Sequence, residues 1–562
     1  QDIFQNIFSK YESVNNPDLS ELILSIPKDF SYASDKILSS FFLSNNNTAN
    51  GNNYTLNNNI NSILKNRIKL KYFINKFHSE AGTINPNIQD IIELLKNPST
   101  EIFVSIHQPN LFPYSGVFKK IVLLEALKNI IQTKISSKKI INLFLIVDHD
   151  FMDENWVRVA QIPSVHHTSG IQEIRLPVDN SKRWQLICNM PLFSRTILDK
   201  WKKDIKSWIK NSSSSLTSVS DKSLFLNNFE QFWEEVECSH SKAKSYADFN
   251  TFLMSLIVNK IWNYETLFVR LSEISSIFED GFKFLISNYN KYSQALRKNE
   301  IIFSDHGIET GISSNSYLNS PLWLHCKCGS KASTKVQRNQ QGLSILTGSC
   351  MSCKKDLEIS LGNNNNNDLN FSNDTIANLS PRAIPILLLL VRELGMNCYA
   401  SGTAGITYIT VGTSVFKELS IDLPLVLVWP SKDIYFGIGQ TEALKTINLS
   451  NEDDINQYLN LLNQKNFEFE NKIKPFLEER ERKKNNQEIS PQINQNIYNL
   501  KEEQRNIRQK IKLTEKVKNA INISPCFIDY AVNFGIKNTE RQWYTNLLKN
   551  DNLATPIHMT IK

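Results

Sequence analysis

A chain of 562 residues with 41% hydrophobic and 10% aromatic content is long enough for about three or four domains and too apolar to be disordered throughout. Its formal charge of +7 is spread thinly, which gives a nucleic-acid function little initial support and leaves room for anionic small molecules. No apolar run reaches the roughly 18 residues of a membrane helix, no basic and apolar leader follows Gln1, and the eight cysteines do not form a secreted disulfide framework, so the cytoplasm is the expected compartment.

Residues 1–100 read as a helical lead-in interrupted by an Asn-rich stretch, Asn45 to Asn59, expected as an exposed loop because it carries no apolar surface. Residues 101–189 change character: Ile102 to Ile106 is a buried strand, a Pro-containing turn follows, then a helix from about Gly116 to Asn129 and a second strand from Ile141 to Val147. Strand, helix and continuously apolar strand predict an α/β fold with a parallel sheet covered on both faces. Residues 190–320 read as a mainly helical insertion, with Phe225 to Trp233 and Phe252 to Tyr264 as core aromatics. A cysteine-bearing segment, 321–362, and an Asn tract, Asn363 to Asn367, precede the return of the sheet over 370–450. There Ala383 to Leu394 predicts a helix, Asn397 to Ser401 a strand, Ile406 to Phe416 a helix or buried turn, and Leu423 to Trp429 another strand. In 451–520, Ile455, Leu459, Leu462, Asn466, Phe469, Ile473 and Phe476 recur at spacings of four and three, and Ile493, Ile497, Leu500, Gln504, Ile507 and Ile511 continue the rhythm. Such seams predict an antiparallel coiled-coil hairpin. Asn466 and Gln504 are expected as register or partner devices, and pairing with a second copy is favoured over purely internal packing. Residues 521–562 are expected to dock back on the body.

Four segments carry chemistry. Cys326 and Cys328, with Cys350 and Cys353, form a CxC and CxxC pair; four thiolates suit tetrahedral Zn²⁺ and leave no open position, so a structural zinc ribbon is expected. His325 adjoins it as an alternative ligand. Ser105, His107, Gln108 and Asn110 lie where the first strand ends, the edge at which open α/β sheets bind ligands. The plainer role for His107 is to cap that turn. Asp148, His149 and Asp150, followed by Asp153, Glu154 and Asn155, end the next strand; clustered carboxylates there call for a cation, a basic substrate group or hydrogen bonds. Ser401, Gly402, Thr403 and Gly405 end a third strand, and their small size lets backbone approach a phosphate or sugar.

These three strand-end segments resemble the bacillithiol-synthase, or cysteine-adding enzyme, family. Ser105 to Phe112 looks like its Thr-Gly-Gln-Gln-x-Gly-Leu-Phe loop, Asp148 to Phe151 like its Asp-His-Asp-Phe segment, and Ala400 to Tyr408 like its Gly-Gly-Pro-Gly-Glu-Ile-Ala-Tyr loop. His107 stands where the family has Gln, Asn110 where it has Gly, no Glu follows Gly405, and the cysteine ribbon is not a feature of its usual members. His107 to Asn110 is also similar to the His-Gln-Pro-Asn-Tyr run of WbqC-like proteins of polysaccharide loci. The first resemblance covers most of residues 100–520. It implies a Rossmann-like, nucleotidylyltransferase-type core, a homodimer formed through the coiled coil, and a ligase that joins an amino acid, by analogy cysteine, to an amino sugar, with ATP or another nucleotide as activator. By the same analogy His107, Gln108 and His149 would handle protons or developing charge, Asp148 and Asp150 would hold an amine, and Ser105, Asn110, Asn155, Ser401, Gly402, Thr403, Gly405 and Tyr408 would bind substrate or nucleotide. Two other readings stay open: nucleotidyl transfer on another small substrate without amide formation, and a non-catalytic zinc-ribbon protein that binds RNA.

Overall fold

A computed structural model describes residues 8–11, 14, 16–47, 53–214, 219–308, 316–338, 344–361, 369, 371–403, 405–449, 452–486, 488 and 490–561. The Asn363 to Asn367 tract, residues 48–52 and Ala404 lie outside that set.

Runs of branched and aromatic side chains build five strands: β1 (Glu101–His107), β2 (Ile140–Ile146), β3 (Leu267–Arg270), β4 (Met396–Ser401) and β5 (Leu425–Val428). They form one sheet in the order β5-β4-β1-β2-β3, and every pairing is parallel. All seven residues of β2 are buried, which is why its sequence is continuously apolar instead of alternating. From β1 the chain moves outward to β2 and β3, then returns to place β4 and β5 on the other side. The direction of winding thus reverses between β1 and β4, and the loops leaving their carboxyl ends diverge and open a crevice.

Helix α1 (Ser115–Lys134) follows β1, α2 (Ala383–Leu394) leads into β4, and α3 (Ile406–Glu418) joins β4 to β5. The first thirteen residues of α1, Ser115 to Leu127, are all buried, as expected of a helix with apolar residues on every side. Gly395 ends α2 with φ 68°, a left-handed cap that glycine adopts without strain.

Two expectations need correction. Asn45 to Asn47 end one helix, Phe30–Asn47, and residues 53–59 begin another, Asn53–Ala81, so the described part of the Asn-rich stretch is helical. Asn costs under about 1 kcal/mol per helical residue, and propagation from a neighbouring apolar turn can absorb it. The segment read as mainly helical also supplies β3, whose four residues are too few to show a period.

The cysteine segment forms two small antiparallel sheets. Leu322–His325 pairs with Lys331–Ser333 and Leu379–Pro381, and Ser344–Ser349 pairs with Lys335–Arg338 and Asp356–Ser360. Leu322, Leu346 and Leu361 enter the main core, so the segment is not a free appendage. Two long helices, α4 (Glu452–Asn485) and α5 (Pro491–Asn522), pack against each other, and Gln504 donates across the seam to Asn466 Oδ1 at 3.3 Å. The terminal segment docks on the body: Phe527 N–H donates to Pro113 O at 2.8 Å, and His558–Thr560 pairs with Ile434–Phe436. Among the described residues no helix is long and apolar enough to cross a membrane.

Candidate active site

The loop leaving β1 is held from several sides. Phe112 has φ 45°, a conformation that costs a bulky residue about 1–3 kcal/mol. Its ring is buried among Trp201, Phe232, Trp233 and Phe249, with centroids 5.8–6.3 Å away, so packing offsets the strain. Leu111 N–H donates to Val157 O at 3.1 Å. The loop is thereby fixed before any ligand arrives.

His107 Nδ1 lies 2.9 Å from Gln108 O, which makes it the protonated nitrogen, and Nε2 can accept from the Tyr114 hydroxyl at 3.3 Å. Desolvation, followed by the nearby Lys120 ammonium, pushes its pKa down to about 3, so the ring is neutral. Lys120 is itself buried and donates to Ile106 O at 2.7 Å, and desolvation lowers it to about 7.

At the end of β2 the three acidic-cluster residues diverge. Asp148 is buried and accepts from Ser272 N–H at 2.9 Å and Ser272 Oγ–H at 2.5 Å, tying β2 to the turn after β3. Burial raises its pKa to about 6 against the pull of those donors. His149 is buried with Nδ1 unpartnered; its ring stands edge-on to His325 at 4.4 Å, and desolvation holds its pKa well below the usual value. Asp150 is recessed but reachable, its carboxyl raised by desolvation while Lys331, 4.0 Å away, pulls the other way. Asp153 pairs with Arg183.

After β4, Ser401 is buried and turns its hydroxyl to Gly402 O at 3.0 Å. A Cβ on Gly405 would sit 2.7 Å from Ser401 Oγ, whereas one on Gly402 would meet nothing within 4 Å. A side chain at position 405 would thus make the Ser401 hydroxyl shift, and Gly402 leaves space. Thr403 Oγ1 lies 3.3 Å from Ser431 Oγ, and α3 begins at Ile406 with no side chain capping it. Across the gap, Gly116 lets α1 approach the Ser431 turn, since a Cβ there would lie 2.4 Å from Ser431 Cβ.

The three strand ends enclose a cavity of about 550 Å³. His107, Gln108, Asn110, His149, Asp150, Gly402, Thr403, Gly405 and Tyr408 line it. Of the other expected residues, Ser105 and Ser401 are buried in their strands, Asp148 is the clamp just described, and Asn155 is exposed at the start of a short helix; none is in the lining. Asn110 is 1% exposed, yet neither amide atom has a partner. With His149 Nδ1 it makes two orphaned polar groups on one cavity, where each unsatisfied group costs about 1–3 kcal/mol.

Sequence reasoning missed Lys120, Tyr114, Tyr399, Trp156, Trp184, Trp323 and Lys331, all of which line the cavity. One signal was present: Lys119 and Lys120 adjoin in the middle of an apolar helix, where two neighbouring ammonium groups need internal partners. Trp323 and Lys331 flank the first cysteine pair but gave no periodic sign.

The four cysteines gather beside this wall. Each pair sits on a hairpin tip, one turned by Gly329 at φ 89° and the other by Lys354 at φ 59°. Cys326 and Cys353 sulfurs are 3.6 Å apart, Cys328 and Cys350 sulfurs 3.5 Å, and all four lie within 4.8 Å of one another. A metal bonded to four sulfurs at roughly 2.3 Å spaces them at roughly 3.8 Å, so the cluster fits a tetrahedral ion. His325 does not join it; its Nε2 lies 2.8 Å from Ser380 Oγ.

The fold and site together define an α/β protein with a cavity of mixed aromatic, apolar and polar lining at the reversal point of a parallel sheet and a four-cysteine cluster able to bind a metal ion. Compared with protein-family models and with curated proteins, the chain matches none.

Proposed function

We propose that the cavity is the active site of a Rossmann-like, bacillithiol-synthase-like ligase, which joins an amino acid, by analogy cysteine, to an amino sugar or comparable amine in the cytoplasm. The observation that carries this reading is the pair of orphaned groups, the Asn110 amide and His149 Nδ1, buried in the wall of one cavity at the sheet's reversal point. Buried polar groups without partners are retained where a ligand completes them.

The lining matches such a substrate. Trp156, Trp184 and Tyr408 offer aromatic faces to a sugar ring, the Asn110 amide can both donate to and accept from hydroxyls, and Asp150 can hold an ammonium. Lys120, with its pKa lowered to about 7, is suited to take a proton from an attacking amine near neutrality. His107, neutral and bonded at both nitrogens, orients Tyr114. Joining a carboxyl group to an amine in water requires activation, which ATP or another nucleotide would supply, and Gly402, Thr403 and the uncapped start of α3 would hold its phosphates. Zn²⁺ is the ion we assign to the four cysteines, in a structural role, because sulfur fills every position.

The two long helices form, in this reading, a coiled-coil hairpin that pairs with a second copy, since Leu461, Phe467 and Tyr498 remain exposed on it. Removing everything beyond Ser450 would also strip the segment that braces Pro113. Leu461→Glu/Phe467→Glu is therefore the cleaner test: light scattering should show a dimer for the native chain and a monomer for the variant, and identical masses would refute the pairing.

The activity is tested by thermal shift with glucosamine, cysteine, ATP and RNA, followed by mass spectrometry for an amide product. Stabilisation by glucosamine and a new cysteinyl amide are expected. Stabilisation by RNA alone, abolished by salt, would overturn the ligase reading in favour of nucleic-acid binding.

A further inference from the structure

We propose that Lys331 and Trp323, both carried by the cysteine ribbon, form an oxyanion-binding subsite of the cavity, so that the four-cysteine cluster holds a specificity-determining side chain in place. The inference rests on the cavity being the substrate site and adds a charge that its ligand must carry.

In the pairing of Leu322–His325 with Lys331–Ser333, His325 stands opposite Lys331 and Trp323 opposite Ser333. Directly opposed residues of an antiparallel pair project from the same face. That face meets the cavity: His325 touches His149, while Trp323 and Lys331 are in the lining. The Lys331 side chain is 4% exposed, and its ammonium lies 4.5 Å from the Trp323 ring centroid and 4.9 Å from that of Phe151. One N–H is directed to His149 O at 2.5 Å. The nearest carboxylate oxygen, on Asp150, is 4.0 Å away, beyond hydrogen-bond reach. An ammonium has three donors, so two remain for a ligand, and a phosphate or carboxylate oxygen is the acceptor that matches them.

Both cysteine turns grip the strand that bears this lysine. Cys326 N–H donates to Ser330 O at 2.9 Å, Met351 N–H donates to Lys331 O at 3.1 Å, and Ala332 bridges to Cys350. Separation of the two cysteine pairs would therefore release Lys331 from the wall.

The test uses the full chain loaded with zinc, titrated with inorganic phosphate and, in a parallel arm, succinate, by calorimetry and by hydrogen exchange. The native protein should bind at least one of these, with protection over residues 322–333 and 147–151, and the stronger arm identifies phosphate or carboxylate as the source. Lys331→Met keeps the apolar stem between the rings and should weaken binding roughly tenfold or more, while Lys331→Arg should hold it within a few-fold. No oxyanion binding by the native chain, no protection of 322–333, or equal affinity in Lys331→Met would overturn the subsite. The exchange measurement on the native chain decides the matter if Lys331→Met does not fold. Glucosamine titrated alongside separates the two readings: glucosamine binding without an oxyanion response removes only the subsite, and the converse removes the amino-sugar assignment while leaving the subsite standing.

Discussion

The turn that closes the cavity beside Thr403 hangs on a buried ion pair, and its removal should be costly in a particular way. Lys119 Nζ lies 2.5 Å from Asp433 Oδ1 and 2.6 Å from Pro430 O, and the Tyr530 hydroxyl and Trp543 indole N–H each donate to Asp433 Oδ2 at 2.9 Å. The side chains of the ion pair are at most 1% exposed. Asp433→Leu would strand an ammonium and two neutral donors in the core, at a cost of about 3–5 kcal/mol. Lys119→Met leaves the carboxyl its two remaining donors and the option of protonation, so about 3 kcal/mol is expected. The double variant removes both charges but still orphans Tyr530 and Trp543, at roughly 1–3 kcal/mol each. On central values, about 4 and 3 kcal/mol for the single changes and about 4 kcal/mol for the double, it should cost about 3 kcal/mol less than their sum. Native-state hydrogen exchange of the α1 amides reads these values without assuming that the whole chain unfolds as one unit. Additivity within about 0.5 kcal/mol, or a loss under about 1 kcal/mol for Asp433→Leu, would refute the claim that this pair fixes the turn.

Asn110→Leu should stabilise the free protein by about 1 kcal/mol, because it removes two unsatisfied buried atoms, and should abolish glucosamine binding; a destabilised variant in thermal melts would mean the amide has an internal partner. Gly405→Ala should weaken ligand binding, since its Cβ would collide with Ser401 Oγ, while Gly402→Ala should keep the fold intact; calorimetry on both variants checks the contrast. Cys350→Ser should release one metal ion per chain and raise exchange over 321–362 with the sheet still protected, as metal analysis and mass spectrometry would show. For Asp148, burial raises the folded-state pKa from 3.8 to about 6, so the native state binds the proton more tightly than the unfolded state. Its stabilising share is complete below the lower value and is lost as pH rises through the upper one. Stability relative to Asp148→Asn should thus fall by roughly 3 kcal/mol across that window in urea titrations; a pH-independent difference would show that Ser272 compensates the burial fully.

Much of the architecture was legible because it depends on local rules. The continuous apolar run of β2 announced a sheet covered on both faces, the four-three spacing of Ile455 to Ile473 marked a long helix with one buried stripe, and the paired cysteines announced a cluster. The three segments that the strand-end rule picks out meet at one cavity. Within those segments, side-chain direction was not legible. Asp148 and His149 are neighbours, yet one ties β2 to Ser272 and the other is in the cavity lining, because that choice is made by the turn after β3, a strand too short to predict. Lys331 escaped notice for the same reason: it reaches the cavity wall beside the Trp323 ring because the folded hairpin sets it opposite His325.

Several features that break local rules lie around the cavity: Phe112 at positive φ, the unpartnered Asn110 amide, the His149 ring without a bond at Nδ1, and lysines 120 and 331 buried against carbonyl oxygens. None is stabilising by itself, and each persists because rigid neighbours overdetermine it, Trp201 and Trp233 for the loop, α1 for Lys120, the cysteine turns for Lys331. Sequences generally keep local preference and global packing in agreement, so a cluster of disagreements at one place marks where the fold has been held to a second requirement. Here the group lies at the sheet's reversal point, which is why we propose a ligand there, a small molecule bearing both an amine and an oxyanion.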